Sequence, residues 1–295
     1  MSYTDVVFTS AGTSCSGWHF PAAASGPRSL VVMGHGFGGT KDSGLQSFAQ
    51  RFQAAGMDVL AFDYRGFGTS QGQPRQQISI ERQIGDYQAA VAAGRQFADV
   101  DPGRIVLWGS SLSGGHVIRV AAGRDDIAAV IAMTPLTSPL AAARTILAQY
   151  RGLGALRATA NGVRSRLAVA RGRSAVMMPV VSEPGGAGAL ALDGGVHLVA
   201  PGGAGHGHIT VIGAVGLELA TVKTKAAAKA LRAPLLVQIA DFDRFIPAES
   251  VARTAVHGRG QVHHYPCDHF DVWPGHDWFE KACADQLRFL RRVLG

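Results

Sequence analysis

The sequence predicts an α/β fold with a mostly parallel sheet. Short, continuous apolar runs rich in β-branched residues, such as residues 29–33 and 127–133, alternate with longer segments that repeat apolar residues at helical spacing. This alternation is typical of a parallel sheet covered by helices on both faces. Several of the apolar runs also lead directly into glycine-rich or polar loops. Parallel sheets carry their active sites at the carboxyl ends of the strands, where such loops begin.

The composition is that of a globular protein. The chain has 295 residues, of which 47% are hydrophobic and 17% are charged. It contains no uninterrupted run of the ~20 apolar residues that a membrane-spanning helix needs, and its first residues lack the features of a signal peptide. The three cysteines, Cys15, Cys267 and Cys283, are too few and too scattered for a disulfide framework. We therefore expect a cytoplasmic protein without a membrane span.

The individual elements follow from apolar periodicity and from the turn residues between the periodic segments. Residues 79–97 repeat apolar side chains along one side of a helix, and Asp101-Pro102-Gly103 predicts a turn after it. The predicted strands are residues 5–9, 17–20, 29–33, 58–62, the run that starts at Arg104, 127–133, 234–240 and 261–265. The predicted helices are residues 43–55, 79–97, the segment that ends near Ala122, and 278–294.

The most informative stretch surrounds Ser111. An apolar strand leads into Gly109-Ser110-Ser111-Leu112-Ser113, which matches the G-x-S-x-G nucleophile elbow except that a serine replaces the last glycine. The elbow crowds the positions two before and two after the nucleophile, and the residues at both positions are small. Ser111 is favoured over Ser110 and Ser113 because it stands two residues after the glycine that ends the strand. A glycine- and serine-rich helix start without chemistry is the alternative.

A glycine-rich loop follows the third predicted strand. Gly34, Gly36 and Gly39 satisfy the G-x-G-x-x-G pattern of dinucleotide-binding proteins, and Asp63 stands near where a ribose-binding carboxylate belongs. The loop also has the His-Gly start of the serine hydrolase loops whose backbone N–H groups face an oxyanion. The loop alone leaves both interpretations open. We expect Asp63 and Arg65 to be mainly structural, through hydrogen bonds to loop backbone.

The character of the chain changes from about Ser138 to Arg232, where alanine, glycine and arginine dominate. We predict an inserted cap at residues 138–232, between the two parts of a core formed by residues 1–137 and 233–295. The inserted segment lies between the serine motif and the polar segments that follow the last two strands. It is therefore expected to cover the site.

Basic residues in the predicted cap contribute to the net charge of +7. Arg157, Arg164 and Arg171 recur every seven residues and so lie near one helical face. A solvated cap surface is the favoured interpretation, and attraction of an anionic substrate or a membrane surface is the alternative. Nucleic acid is disfavoured because no aromatic residues are interleaved with these arginines.

Three histidines of the predicted cap raise the question of a metal site. His197, His206 and His208 lie in a glycine-rich stretch, and no cysteine or close acidic residue completes a ligand set. We therefore expect loop histidines and no metal.

Polar segments also follow the last two predicted strands. Asp241-Phe242-Asp243 follows the strand at residues 234–240, and Asp268-His269-Phe270 follows the strand at residues 261–265. Ser111, Asp243 and His269 are thus all predicted to follow strands and to reach the same edge of the sheet. Three other histidines in this part of the chain are alternatives to His269. His263 and His264 lie within the last strand, and His276 is near the start of the closing helix.

Together these segments resemble the α/β-hydrolase superfamily, and they look most like the bacterial hydrolases with a G-x-S-x-S-G-G-H elbow. The resemblance covers about residues 1–140 and 233–295, and the order Ser, Asp, His is also that of the superfamily. It implies an eight-stranded sheet and a serine hydrolase that cleaves a carboxylic ester or a related acyl bond. The motifs that carry it are residues 35–39, 63–70, 109–115, 243–247 and 269–272.

The resemblance further implies the roles of individual residues. Ser111 is the expected nucleophile, His269 the general base and Asp243 the acid that holds the histidine. Asp241 is the alternative acid, and Asp243 is preferred because it heads the loop to Pro247, as in related hydrolases.

The expected oxyanion hole consists of the backbone N–H groups of Phe37 and Leu112. His35 and His116 are expected to be structural, since one lies in the oxyanion loop and the other on the elbow helix. No cofactor or metal is needed for this chemistry.

Other functions remain as alternatives. A peptidase or amidase would use the same three residues, and an acyltransferase would need only a cap that excludes water in favour of another acceptor. An NAD(P)-binding oxidoreductase explains only the glycine loop, and a non-catalytic binding protein would have no need of all three residues. The expected partner is a small-molecule acyl substrate, without nucleic acid, and a homo-oligomer stays open.

Overall fold

A computed structural model describes residues 2–138, 140–142, 160, 163–165, 167–168, 171, 177–182, 190–191, 210–212 and 224–295. Its centre is an eight-stranded sheet, whose strands lie side by side in the order β1 (Thr4–Ser10), β2 (Thr13–Phe20), β4 (Asp58–Phe62), β3 (Arg28–Gly34), β5 (Val100–Ser110), β6 (Ala129–Met133), β11 (Leu235–Ala240) and β12 (Gln261–Tyr265). Strand β2 pairs in antiparallel fashion with both β1 and β4. The six strands β4, β3, β5, β6, β11 and β12 run parallel to one another. The predicted eight-stranded, mostly parallel sheet is confirmed.

The elements of the core follow the predicted order, with ends that differ by a few residues. The helices are α1 (Leu45–Ala54), α2 (Ile80–Gly94), α3 (Leu112–Ala121), α4 (Thr224–Lys229), α5 (Ala248–His257) and α6 (Phe279–Leu294).

Helices cover both faces of the sheet. Successive residues of a strand point to opposite faces, so Val32 packs in one hydrophobic cluster with α2, α3 and α5, while Val31 and Met33 pack in another with α1 and α6. Because both faces are covered, the central strands are apolar at nearly every position, as is typical of parallel sheets. This explains why the sequence shows them as continuous apolar runs.

The turn predicted at Asp101-Pro102-Gly103 lies inside a strand rather than before one. Strand β5 begins at Val100, which pairs with Arg28, and the next pair is already Leu30 with Ile105. The residues between them bulge out of the ladder, and the Gly103 N–H donates to Asp101 Oδ1 at 2.8 Å. The prediction of a turn that precedes the strand is therefore wrong, because these residues form a β-bulge within it.

Short strands from the predicted cap stand apart from the main sheet. They are β7 (Met177–Pro179), β8 (Val181–Ser182), β9 (Leu190–Ala191) and β10 (Thr210–Ile212). β10 pairs with β7, and β8 pairs with β9, so they form two small two-stranded sheets. The boundaries of the cap at residues 138 and 232 stay a prediction.

The charged and histidine residues singled out in the predicted cap are only partly described. Arg164 and Arg171 are exposed, as expected of a solvated surface, whereas Arg157 lies outside the described residues. The three cap histidines, at positions 197, 206 and 208, also lie outside them. Within the described parts of the chain, no helix has the length and hydropathy required to cross a membrane.

A buried polar chain ties the closing helix α6 to the sheet. Trp108 Nε1 donates to Gln286 Oε1 at 3.0 Å, and Gln286 Nε2 donates to Gln238 Oε1 at 2.6 Å. Gln238 Nε2 in turn donates to the Tyr265 hydroxyl, which donates to Asp285. Because each of these buried groups has a partner, α6 is held in one register on strands β5, β11 and β12.

The two glycines within α2 allow a test of this packing. A methyl group added at Gly85 would meet Arg65 Nη2 at 3.9 Å, whereas one added at Gly94 would lie 2.4 Å from Leu30 Cδ2. We expect Gly85→Ala to raise the free energy of unfolding by about 0.5–1 kcal/mol through helix propensity, and Gly94→Ala to lower it by about 1–3 kcal/mol through overpacking. Urea unfolding of both variants measures this. Shifts of the same sign would contradict the packing of α2 on β3.

Candidate active site

Ser111 stands on a sharp turn between β5 and α3. Its backbone has φ 53° and ψ −118°, which is a strained conformation for a residue other than glycine. The surroundings hold it there. The Ser111 N–H donates to the Met133 carbonyl at 2.9 Å, and the Ser111 carbonyl accepts from Leu136 at 2.8 Å and from Gly115 at 3.3 Å. Three hydrogen bonds to β6, its following loop and α3 therefore fix the strained serine.

The crowding expected around such an elbow is present. A methyl group at Gly109 would lie 2.4 Å from the Ser113 carbonyl oxygen, so only glycine fits there. Ser113, which replaces the last glycine of the motif, is fully buried, and its hydroxyl bonds the Tyr64 hydroxyl at 2.8 Å. The departure from the motif is thus accommodated by a tyrosine behind the elbow.

The three serines of the elbow differ in exposure. Ser110 and Ser113 are both fully buried, whereas Ser111 is partly exposed. Ser113 is also engaged by Tyr64. Ser111 is therefore the serine of this group that a substrate can reach.

The glycine loop after β3 lies directly against the elbow. A methyl group at Gly36 would meet the Ser111 Cβ at 3.2 Å. The loop turns at this point, and the Gly39 N–H donates to the Gly36 carbonyl at 3.4 Å. Phe37 occupies the second position of this turn, whose N–H takes no part in the closing hydrogen bond. The loop thus packs directly against the turn that carries Ser111.

The other predicted donor is at the start of α3. Leu112 is the first residue of this helix, and the first N–H groups of a helix have no acceptor within the helix. The positive end of the helix dipole also favours negative charge at this point.

A buried acid–histidine pair follows the last two strands. His269 Nδ1 lies 2.6 Å from Asp243 Oδ2, and both side chains are almost completely buried. The other carboxylate oxygen, Oδ1, accepts from the backbone N–H groups of Phe245 and Ile246, each at 2.8 Å. The loop after β11 therefore orients the carboxylate, and the carboxylate orients the imidazole.

Contacts between loops bring the acid loop and the elbow to the same edge of the sheet. The loop after β6 donates from Leu136 to the Ser111 carbonyl, and one residue later Thr137 Oγ1 donates to the Ser250 carbonyl at 3.1 Å. Ser250 lies in the first turn of α5, and its hydroxyl donates to the Pro247 carbonyl at the end of the Asp243 loop. One loop thus contacts both the serine turn and the helix that follows the acid.

The alternatives to Asp243 and His269 contact other side chains. Asp241 contacts His264 at 2.6 Å, and both of these side chains are substantially exposed. His263 lies 3.3 Å from Asp285, on the side of the polar chain to α6. His276 is 3.7 Å from Asp271.

The pKa values of the buried histidines differ with their partners. Burial by itself lowers the pKa of His269, but the charge and hydrogen bond of Asp243, together with the charge of Asp268, raise it above the usual value. Burial lowers the pKa of His35, and it lowers the pKa of His116 to about 3. His116 Nε2 contacts Gln83 Oε1 at 3.0 Å. His35 and His116 are thus neutral near pH 7, in keeping with structural roles.

Asp63 has the structural role predicted for it. Its carboxylate accepts from the backbone N–H groups of Lys41 and Thr69, and the Lys41 ammonium pairs with it at 2.7 Å. Arg65 likewise pairs with the buried Asp86. The carboxylate that a ribose would need is therefore occupied by the protein itself. Within the described residues, no cluster of three or more His, Cys, Asp or Glu side chains is arranged to hold a metal ion.

Comparisons with known proteins identify the family of the chain. The family model described as serine aminopeptidase, S33, matches residues 25–177, which include the glycine loop and the elbow. The chain belongs to this family of α/β-hydrolases. The quorum-quenching protein AidA of Acinetobacter baumannii (strain MDR-ZJ06) is 32% identical to the chain over 295 residues, 98% of this chain and 95% of AidA.

Other relatives show how far the likeness extends. The thiohydrolase aneE of Aspergillus aculeatus is 39% identical over 136 residues, which are 46% of this chain and 42% of that protein. The solved structure of the α/β hydrolase GrgF from Penicillium sp. sh18 superposes with a TM-score of 0.79 at 22% identity, over 99% of each chain, and shows the shared fold. The chain is thus an α/β-hydrolase enzyme that cleaves an ester or related acyl bond, and the oxidoreductase alternative is set aside.

Two contacts at the site were not anticipated. Tyr64 supports Ser113 from behind, and Asp268 contacts the backbone of His269. Both residues stand within the segments that carry the resemblance or directly beside them. An acidic residue immediately before a candidate catalytic histidine was the available signal for Asp268.

The hydrogen bond between Tyr64 and Ser113 can be tested by a double-mutant cycle. Each of the variants Tyr64→Phe and Ser113→Ala leaves one buried hydroxyl without its partner, so we expect each to lower the free energy of unfolding by about 1–3 kcal/mol. The double variant removes both hydroxyls, so its loss should be clearly smaller than the sum of the two single losses. Denaturant unfolding gives the three values. Additive losses would show that the two hydroxyls do not interact.

Proposed function

We propose that the chain is an acyl hydrolase in which Ser111 is the nucleophile, His269 the general base and Asp243 the acid that orients it. The observation that carries the proposal is the buried His269–Asp243 contact at the sheet edge where Ser111 stands on its strained turn. The partial exposure of Ser111 and the separate pairing of Asp241 with His264 support this choice of residues.

The contact with Asp243 decides how the imidazole acts. The Nδ1–H group of His269 donates a hydrogen bond to the Asp243 carboxylate, so Nε2 carries no proton and is the basic nitrogen. Nε2 then takes the proton of Ser111 as Oγ attacks the carbonyl carbon of the substrate. It returns that proton to the leaving group when the tetrahedral intermediate collapses to an acyl-enzyme. Water, activated by the same nitrogen, releases the acid and restores Ser111.

Negative charge on the carbonyl oxygen requires donors in the tetrahedral steps. The backbone N–H groups of Phe37 and Leu112 are proposed for this role. The contact of Gly36 with Ser111 and the position of Leu112 at the start of α3 support it. Loss of one such donor typically costs about 3 kcal/mol in the transition state. Both donors are backbone groups, so side-chain substitutions at these positions would leave them in place.

Esters and thioesters are the proposed substrate class. Attack on a thioester carbonyl follows the same steps as attack on an ester, and one relative of the chain is named a thiohydrolase. The description of the matching family as serine aminopeptidase supports a peptide or amide substrate as the second candidate. The acyl and leaving groups would be selected by the proposed cap at residues 138–232.

The cellular setting is proposed on similar grounds. All three cysteines are buried and free, and their pKa values are raised mainly by burial, so they behave as inert core residues. Free cysteines are usual in a reducing compartment. We keep cytoplasmic residence as part of the proposal, and a homo-oligomer stays a prediction.

The nucleophile is tested by p-nitrophenyl esters and acyl thioesters of increasing chain length. We expect the purified protein to show a burst and turnover on at least one series, and Ser111→Ala to lose about 10³-fold or more because no acyl-enzyme can form. Ser110→Ala is the matched control and should keep turnover, since within the described residues the buried Ser110 hydroxyl has no hydrogen-bond partner. A fluorophosphonate probe should label the peptide that contains Ser111.

Two outcomes separate the candidates. Turnover of aminoacyl p-nitroanilides but not of esters or thioesters would favour the peptidase, with the same triad. If the probe does not react at Ser111 and Ser111→Ala matches the wild type, the proposed mechanism is wrong.

The acid is tested by the pH dependence of Asp243→Asn. The variant should lose about 10⁴-fold in kcat because the imidazole is no longer held in the required tautomer. Asp243 raises the pKa of His269 against the effect of burial, so its loss should lower that pKa. His269 then stays neutral to lower pH, and the acid limb of kcat/KM moves to lower pH. Asp241→Asn is the control and should leave both kcat and the limb unchanged. If only Asp241→Asn lowered kcat and moved the acid limb, Asp241 and not Asp243 would be the acid.

A further inference from the structure

We propose that Asp268 and Arg244 form a positioning pair that sets the alignment of His269 against Asp243, an inference that rests on the proposed function. The two pairs are neighbours in both loops. Asp243 of one loop contacts His269 of the other, and the next residue, Arg244, contacts Asp268, the residue before His269. The catalytic contact and the ion pair therefore bridge the same two loops side by side.

The Asp268 carboxylate makes three contacts in this bridge. Asp268 Oδ1 accepts from the backbone N–H of His269 at 2.7 Å and from the backbone N–H of Arg244 at 3.0 Å. Asp268 Oδ2 accepts from Arg244 Nε at 2.5 Å. Asp268 itself is held, since its N–H donates to Asp271 Oδ2 at 2.8 Å. The carboxylate thus ties the backbone of the proposed base to the backbone next to the proposed acid.

The bridge continues the ladder of the sheet beyond its last regular pair. After β11 and β12 end, the Asp241 N–H still donates to the Tyr265 carbonyl, and the Phe242 N–H donates to the Cys267 carbonyl. The Arg244 N–H is the next backbone donor along the chain that bonds to the other loop. Its acceptor is the side chain of Asp268 and not a backbone carbonyl. The Asp268 side chain therefore continues the hydrogen bonding between the two loops where the backbone ladder ends.

The exposure of the pair indicates what it does. The Arg244 side chain is 42% exposed and that of Asp268 is 19% exposed, and pairs of this kind contribute little to global stability. Reactivity is far more sensitive to alignment, because a misplacement of 1 Å at a reacting group can cost about 10²-fold in rate. Loss of the pair should therefore appear in kcat rather than in stability.

The charge of Asp268 also acts on the imidazole. In the described part of the chain, the charged groups that act on the His269 ring are Asp243, from the loop after β11, and Asp268, from its own loop. The rings of Phe245 and Phe270 pack edge-on against it and carry no charge. Removal of the Asp268 charge should lower the pKa of His269, in the same direction as removal of Asp243 but by less.

The experiment compares Asp268→Asn with Arg244→Gln. We expect Asp268→Asn to lower kcat by about 10- to 100-fold, to leave KM within about threefold, and to move the acid limb of kcat to lower pH. Arg244→Gln keeps the backbone donor and should lower kcat less, by about 3- to 10-fold, and Arg244→Lys should recover part of that loss. The double variant should lose no more than Asp268→Asn alone, because both substitutions break one bridge.

Matched controls come from an exposed ion pair nearby. Glu249 and Arg253 pair on the surface of α5, and Glu249→Gln and Arg253→Gln remove the same charges as the test variants. Both controls should keep the wild-type kcat and acid limb. A change in kcat in the controls that matches the test variants would mean that net charge, not the bridge, is responsible.

An NMR titration of the His269 ring makes the inference independent of turnover. The His269 pKa should fall in Asp268→Asn, and the downfield Nδ1–H signal of the contact with Asp243 should weaken or broaden. If Ser111→Ala abolishes turnover while Asp268→Asn and Arg244→Gln keep wild-type kcat and titration, the bridge is not a positioning device. If Ser111→Ala keeps wild-type turnover, the proposed function fails, and the titration alone decides whether Asp268 acts on His269. Should Asp268→Asn fail to fold, Arg244→Gln decides in its place.

Discussion

The candidate active site depends on one residue held in an unfavourable backbone conformation. A positive φ at a residue other than glycine costs of the order of 1–3 kcal/mol, and Ser111 keeps it because both of its peptide groups are bonded to other elements. Strand β6 takes its N–H, while α3 and the loop after β6 supply donors to its carbonyl. On this turn the Ser111 side chain is partly exposed, whereas those of Ser110 and Ser113 are buried. The glycine at position 109 and the Tyr64–Ser113 contact are consequences of the space this turn leaves.

Three histidines are buried among the described residues, and their surroundings determine whether the pKa of each is raised or lowered. His35 and His116 lie close to the elbow, yet burial lowers their pKa values, so they stay neutral and serve packing. His269 is equally buried, but two carboxylates more than offset the effect of burial on its pKa. The same residue type thus has a lowered pKa in the glycine loop and in α3 and a raised pKa in the loop after β12. The difference comes from the loops after β11 and β12 and not from exposure to solvent.

The fold and the candidate residues could be predicted because their signals are local. Continuous apolar strands, the glycine loop and the small residues around Ser111 each depend on positions close together in the sequence. What the sequence did not reveal depends on register between distant segments. The bulge at residues 101–104 is visible only from the pairing of β5 with β3, and the contact of Asp268 with Arg244 only from the alignment of two loops. Ser113 looked like a departure from the motif because its partner, Tyr64, lies far away in the sequence.

The neighbourhood of β6 and β11 has a consequence for how such proteins diversify. The two strands pair side by side, Val130 with Leu235, although residues 134–234 separate them along the chain. The entropy lost in closing a flexible connection grows only with the logarithm of its length, so doubling it costs about 0.6 kcal/mol. Outside residues 134–137, which hold the elbow, and outside α4, insertions and deletions in this connection should therefore change the stability of the sheet little. Evolution can therefore change most of this connection in length and sequence while the strands that carry the candidate site residues stay unchanged.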